Sequence, residues 1–458
     1  MTMTDPAVAG DTDVAAPGPP SAETHARSRT QDLLARHRAV MPRWQSLYYE
    51  DPIALSHGEG RHVWDVEGTR YLDFFGGILT TMTAHALPEV TAAVQEQAGK
   101  ILHSSTLYLN EQTVELAERI AELSGIPDAK VFLTPSGTEA NDAALLMATA
   151  YRRSNQVFAM RNSYHGRSFS TIGITSHRSW SPTSFSGLQT TYVQGGYRLR
   201  SPFRDLPDGE YTAACVADLR QLLDMATSGD VACLIAEPIQ GVGGFATPPD
   251  GFFGAIKEVL DEHGILFVSD EVQTGWGRTG EHFWGYQAHG MTPDLLTFAK
   301  GVGNGLPLGG VVARAEIVDA IQANHISTFG GSPLVSAGAN ANLRYLLEHD
   351  LQGNAKRVGD RLRAALAPTV EQTPWIAEMR GRGLMLALEC VHPGGIDPDP
   401  ARAAALTEAA KARHLLIGKG GLYGNVLRMA PPLTLTEDEA DEGARLLLDA
   451  IASVSAAG

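Results

Sequence analysis

The 458 residues, 43% hydrophobic and 19% charged, suffice for a large buried core and exceed one ordinary domain, so a large domain plus a smaller one is expected. Lys and Arg number 36 against 52 Asp and Glu, a formal net charge of −16, which argues against nucleic acid or anionic membrane as partners because both need basic patches. Cys215, Cys233 and Cys390 are far apart and odd in number, which favours a reduced, cytoplasmic setting over a disulfide framework, and no stretch approaches the ~18 consecutive apolar residues of a membrane span.

In chain order, residues 1–28 are rich in Ala, Pro, Gly, Thr and Asp, lack the basic and apolar regions of a secretory signal, and are expected to be a disordered tail. An N-terminal segment over 29–90 is expected to hold a helix and a hairpin and to pack with the smaller domain. Its strands, 63–66 and 69–74, flank the turn signal Glu67-Gly68, and 88–99 has helical periodicity. From residue 130, apolar strands at 131–133, 157–160, 231–236, 265–269, 295–298 and 310–313 alternate with helices. That is the pattern of an α/β domain with a mostly parallel sheet, expected over 91–333. The polar, glycine-rich stretch 176–212 reads as a surface excursion near the mouth of a site. Helices at 337–348 and 355–366, strands at 378–380, 384–389 and 426–429, and a last helix from Glu437 indicate an α+β domain over 334–458, with a turn-rich loop at 391–400.

Three segments carry chemistry. Lys300 stands where the run Leu296-Thr-Phe-Ala-Lys300 meets a glycine-rich loop. An amine at the end of a buried strand loses hydration, which favours its neutral, nucleophilic form and lets it condense with an aldehyde. Asp270 ends the apolar run Gly264-Ile-Leu-Phe-Val-Ser-Asp270, at the strand edge where open α/β sheets bind ligands and where a pyridinium nitrogen finds the anion it needs. Alone, the same aspartate would serve as a turn or helix cap. In Lys130-Val-Phe-Leu-Thr-Pro-Ser136-Gly-Thr-Glu-Ala-Asn141, strand, small-residue turn and helix follow one another. Backbone N–H groups there, with the Ser136 and Thr138 hydroxyls, form a phosphate cradle, although either hydroxyl alone equally makes a helix cap. Aldehyde, pyridinium and phosphate together specify pyridoxal 5′-phosphate. No Cys or His pairs sit at metal-ligand spacing, so no metal is expected.

Further stretches extend the pattern: Tyr71-Leu-Asp-Phe-Phe-Gly-Gly-Ile78, Tyr164-His-Gly-Arg167, Ala236-Glu-Pro-Ile-Gln-Gly241, Asp270-Glu-Val-Gln-Thr-Gly275, Ser327-Thr-Phe-Gly-Gly331 and Arg428-Met-Ala-Pro-Pro432. On these residues the chain from about residue 42 onward resembles the class III, fold type I pyridoxal-phosphate aminotransferases, and in motif most resembles the alanine:glyoxylate and 4-aminobutyrate enzymes. The resemblance implies a seven-stranded, mostly parallel sheet sandwiched by helices, plus a smaller α+β domain. It assigns Lys300 to the Schiff base and the substrate proton, and Asp270 to the pyridinium. Gln273 goes to the phenolic oxygen, Tyr164 and His165 to the ring, and Ser136, Gly137 and Thr138 to the phosphate. Thr328 would reach the phosphate of the other subunit of a homodimer. Arg428 would bind the α-carboxylate and swing to pair with Glu237, with Tyr108 also lining the substrate site.

Two positions depart from the family. Arg167 occupies a place where the alanine:glyoxylate group usually has no arginine but 4-aminobutyrate and ornithine enzymes read a carboxylate; it suggests a second carboxylate in the substrate, while a structural role remains its alternative. Thr83-Ala-His85-Ala-Leu-Pro88 keeps only the first of two family histidines, which bears on donor identity rather than chemistry. The expected activity is ping-pong transfer of an amino group from an amino acid, ω-amino acid or amine to pyruvate, glyoxylate or 2-oxoglutarate. Decarboxylation, racemisation or intramolecular amino migration on the same cofactor are the alternatives, with a non-catalytic binding protein a distant one.

Overall fold

A computed structural model describes residues 28–457. The tail expected over 1–28 lies outside the described residues except for Ser28, whose hydroxyl accepts from Gln31 N and caps the helix Arg29–Val40. The hairpin forms as expected: β2 (His62–Asp65) pairs antiparallel with β3 (Arg70–Asp73), and β1 (Leu55–Glu59) lies on the far side of β2.

Seven strands build the central sheet: β4 (Ala129–Thr134), β5 (Gln156–Met160), β6 (Gln189–Val193), β7 (Cys233–Ala236), β8 (Leu266–Asp270), β9 (Leu295–Phe298) and β10 (Gly309–Arg314). Their order is β4-β10-β9-β8-β7-β5-β6; β10 runs antiparallel to both neighbours and the other pairs are parallel. Every residue of β7, β8 and β9 is buried, because both faces of the sheet are covered, and this is why they read as unbroken apolar runs. The two-residue period of β5 sorts its side chains. Val157 and Ala159 meet Ala140, Ala144 and Ala148 of the helix Gly137–Arg152, whereas Phe158 and Met160 meet Tyr211 and Leu219 of Asp208–Ala226 and Phe253 and Ile256 of Phe252–Glu262. Each such buried large side chain contributes on the order of 2 to 3 kcal/mol by leaving water.

The stretch 176–212 is not simply an excursion. It contains β6, paired with β5 at the sheet edge, and the start of the helix Asp208–Ala226. The polar Gln189-Thr-Thr-Tyr-Val193 suits an edge strand with one partner, and this polarity is what made it read as loop.

The C-terminal part folds into β11 (Ile376–Arg382), β12 (Met385–Cys390), β13 (Leu415–Leu416), β14 (Gly418–Gly420) and β15 (Val426–Met429). Four of these form an antiparallel sheet, β11-β12-β15-β14, while β13 joins β3 in parallel and so ties the two chain ends together. The helices Leu351–Gln372, Pro400–Lys411 and Glu437–Ala457 complete this α+β part. Among the described residues, no helix is long and apolar enough to cross a membrane, and no group of three His, Cys, Asp or Glu side chains could hold a metal.

Candidate active site

Asp270 closes β8 at its carboxyl end and is almost fully buried. Its Oδ2 accepts from Asn141 Nδ2 at 2.8 Å and lies 2.8 Å from His165 Nδ1, and its Oδ1 accepts from Val272 N at 3.1 Å. Asn141 sits one helical turn beyond Gly137, on the face toward the sheet, where its Oδ1 accepts from Thr297 Oγ1 of β9 at 2.7 Å. These bonds replace the water that the buried carboxylate has lost and fix its direction.

Lys300 follows β9, the parallel neighbour of β8, and opens the short 3₁₀ turn Lys300–Gly303 with a positive φ of 47°. A non-glycine residue holds that conformation only when its surroundings enforce it. Here Asn342 Nδ2 donates to the carbonyls of Gly301 and Val302, each at 3.0 Å, and Thr83 Oγ1 fixes the Asn342 amide at 2.8 Å. Burial lowers the Lys300 pKa, the nearby Asp270 and Glu237 carboxylates oppose that, and Arg428 adds to the lowering.

Ser136 caps the helix Gly137–Arg152: its Oγ accepts from Glu139 N at 3.2 Å and its carbonyl from Ala140 N at 3.0 Å. The Gly137 and Thr138 N–H groups are left for a ligand at the positive end of the helix. β10 passes so close to this turn that a Cβ at Gly309 would lie 2.8 Å from the Ser136 carbonyl oxygen, so only glycine fits there.

Glu237 and Arg428 stand nearby but do not pair with each other. The Glu237 carboxylate accepts from Tyr164 N at 2.9 Å and Gly241 N at 2.7 Å, and burial, reinforced by Asp270, raises its pKa against the pull of His165. Arg428 donates to the carbonyls of Gly241 and Lys419, both at 3.1 Å, and packs over the rings of Phe75 and Phe245. Its Nε is buried without an acceptor, and burial lowers the guanidinium pKa. Gln273 Oε1 is likewise buried and unpartnered, facing Gly241, where a Cβ would lie 2.2 Å from the carboxamide carbon.

The Tyr164 ring meets Trp180 edge-on at 5.4 Å. Arg167 is exposed beyond Tyr164 and makes no ion pair among the described residues. Thr328 and Tyr108 are not brought into this constellation: both are exposed on the surface of the single chain, beside Phe329 and Leu109. Sequence reasoning missed Asn141, Thr297 and Asn342 as supports. Asn141 ends the Ser136-Gly-Thr-Glu-Ala-Asn141 motif four residues after Gly137, one helical turn on, and faces the sheet.

The sequence profile described as aminotransferase class-III matches residues 46–451. The chain belongs to this family. This class III aminotransferase is 37% identical over 415 residues to the mitochondrial alanine–glyoxylate aminotransferase 2 homolog 2 of Arabidopsis thaliana, covering 89% of this chain and 85% of that one. It is 36% identical to the 5-aminovalerate aminotransferase DavT of Pseudomonas aeruginosa, covering 92% and 97%. Its structure resembles an amine transaminase from an uncultivated Pseudomonas species, solved in its PLP-bound form, with a TM-score of 0.83 at 30% identity over 88% of this chain and 95% of that one. The class III site fits such a cofactor on its own terms: a free helix N-terminus for a dianion, a buried aspartate for a cation and a buried amine.

Proposed function

We propose that this aminotransferase takes its amino group from an ω-amino acid and delivers it to a small 2-oxo acid such as pyruvate, glyoxylate or 2-oxoglutarate, in two alternating half-reactions. Pyridoxal phosphate is its cofactor; when bound it supplies an aldehyde that takes up the amino group and a ring that accepts the electrons freed at the substrate Cα. Lys300 carries the cofactor, and its Nζ takes and returns the Cα proton, a task suited to an amine whose pKa burial has lowered. Asp270 holds the proton on the pyridinium nitrogen, with Asn141 and His165 fixing its carboxylate. Ser136, Gly137 and Thr138 bind the phosphate, Tyr164 covers the ring and Gln273 meets the phenolic oxygen.

Arg428 binds the carboxylate of the 2-oxo acid. Its two carbonyl partners keep it in place between substrates, and its unpartnered Nε is a donor ready for that carboxylate. Glu237, satisfied by backbone N–H groups, remains within range to receive Arg428 when the donor brings no carboxylate there. Arg167 reads the distal carboxylate of the ω-amino acid. Thr328 and Tyr108 complete the site of a second copy, which makes the enzyme a homodimer, and its three buried free cysteines suit the cytoplasm.

The observation that carries this reading is the gathering of Lys300, Asp270 and Glu237, at or just beyond the ends of β9, β8 and β7, with Arg428 of β15 brought in from the C-terminal sheet. The test supplies the cofactor-loaded protein with 5-aminovalerate or L-alanine, without acceptor, and follows conversion of the cofactor to its amine form. Conversion by 5-aminovalerate is expected, with Arg167→Ala raising the concentration required about tenfold or more by removing a charged hydrogen bond. Conversion by L-alanine alone would overturn the ω-amino acid reading and leave Arg167 structural.

A further inference from the structure

Four donors from three stretches of chain converge on Glu389 of β12, whose side chain has no exposure. Tyr197 Oη at 2.6 Å, Arg200 Nη2 at 2.7 Å and Asn425 Nδ2 at 3.2 Å donate to its Oε1, and Arg380 Nη1 donates to its Oε2 at 2.5 Å. Arg380 also lies over the Tyr197 ring, 5.1 Å from its centroid. The cluster spans the fold: Tyr197 and Arg200 come from the connection after β6, Arg380 and Glu389 from the C-terminal sheet.

One bond leads out of the cluster toward the active site. Arg380 Nε donates to the Gly244 carbonyl at 2.8 Å. Gly244 N donates to the Gly241 carbonyl at 3.1 Å, and Gln240 N to the Ala246 carbonyl at 3.0 Å, so the Arg380 contact pins a tight turn over 240–246. Within that turn Gly241 faces the site twice: its N–H reaches Glu237 and its carbonyl reaches Arg428. Val242, next along, accepts from Gly421 N at 2.9 Å, close to Lys419, the other acceptor of Arg428. Holding two parts of a protein together needs no such network, since buried ions lose their hydration and apolar packing does as well. A network of fixed directions does supply a defined position for a turn.

We infer that Arg380 and Glu389 are positioning residues that set the 240–244 turn and, through the Gly241 carbonyl, the resting place of the Arg428 guanidinium, so that they tune affinity for the carboxylate of the 2-oxo acid. The inference rests on the reading of Arg428 as the carboxylate site.

The test compares Arg380→Lys, Arg428→Ala and their combination in the cofactor-loaded enzyme. Lysine keeps a cation beside Glu389 but has no second nitrogen for Gly244. Arg380→Lys is expected to raise KM for pyruvate roughly five- to tenfold, the net worth of one ordinary hydrogen bond acting through the turn. The donor half-reaction changes by less than the acceptor half-reaction, and the cofactor spectrum and kcat stay unchanged, whereas a merely structural loss would move them together. In the Arg428→Ala background, itself raised in KM, Arg380→Lys adds nothing, because the two act in series. Tyr197→Phe, which removes one donor to Glu389 and keeps the ring, shifts KM the same way by less, and it stands in if Arg380→Lys does not fold. Equal effects of Arg380→Lys with and without Arg428, or equal changes in both half-reactions, would overturn the inference. If Arg428→Ala leaves KM for pyruvate unchanged, the carboxylate reading beneath it fails instead.

Discussion

The Asp270 carboxylate is set by three residues that share no local pattern with it: Asn141 from a helix, His165 from a loop after β5 and, through Asn141, Thr297 of β9. Asp270→Asn keeps the size and acceptor oxygen of the side chain but removes its charge. It is expected to lower kcat by about a thousandfold, the scale of losing a fixed charge aimed at the reacting group, with little change in thermal midpoint. Steady-state kinetics at saturating cofactor check this, and activity within tenfold of the parent would show that Asp270 is not the pyridinium partner. Lys300, Asp270 and Ser136 were legible in the sequence because each ends or begins an element, and strand ends and helix starts leave local marks. Their supports were not, since the register of β8 on β9 and the phase of the helix decide which side chains meet. The rest state of Arg428 was equally hidden: its two acceptors are backbone carbonyls, which no residue type announces.

Among the elements, the apolar strands β7, β8 and β9 were readable from composition, being buried on both faces. The edge strand β6 and the two-residue β13 were not, because one is polar and the other too short to show a period. The helix Glu111–Leu123, whose Leu116 and Ile120 are buried one turn apart, carries a readable helical period. The short 3₁₀ segment Gly285–His289 makes a measurable contribution of its own. Its His289 packs perpendicular to Phe253 at 4.9 Å, with Nδ1 buried and unpartnered, and burial, aided by Arg382, pushes its pKa down from 6.5 to about 4. Between those values the unfolded chain takes up a proton that the folded chain refuses. The associated stability is therefore present above the ordinary histidine range and falls as pH drops toward 4, by up to about 3 kcal/mol. Thermal unfolding between pH 7 and 4.5 should show a shallower decline for His289→Phe than for the parent. Identical slopes would mean that His289 takes up its proton as readily folded as unfolded.

At the scale of the whole molecule, the single chain exposes Leu107, Tyr108, Leu109, Ile326 and Phe329, with Leu109 96% exposed, around the very residues, Tyr108 and Thr328, that stand away from their own site. A soluble chain seldom leaves so many large apolar side chains on two neighbouring segments of motif without a partner. In the homodimer proposed above, a second copy would cover these side chains, and each chain would lend Thr328 to the other's phosphate. Phe329→Asp, which places a charge where an apolar contact is expected, should give monomers by light scattering and lose most activity along with cofactor affinity. Dimers of full activity would place the interface elsewhere. With a net charge of −16, the cations that matter for an anionic substrate are few and local, so Arg167 and Arg428 should dominate its binding rather than any general field.

The most direct measurement is the absorbance spectrum of the cofactor-loaded protein before and after an amino donor is added without acceptor, for the parent chain and for Lys300→Ala. With Lys300 as the proton carrier, the parent converts its cofactor from the pyridoxal to the pyridoxamine form and is restored by pyruvate, and Lys300→Ala shows neither change on the catalytic time scale. Conversion by Lys300→Ala at the parent's rate, or a parent that consumes donor while its cofactor never reaches the amine form, would contradict it.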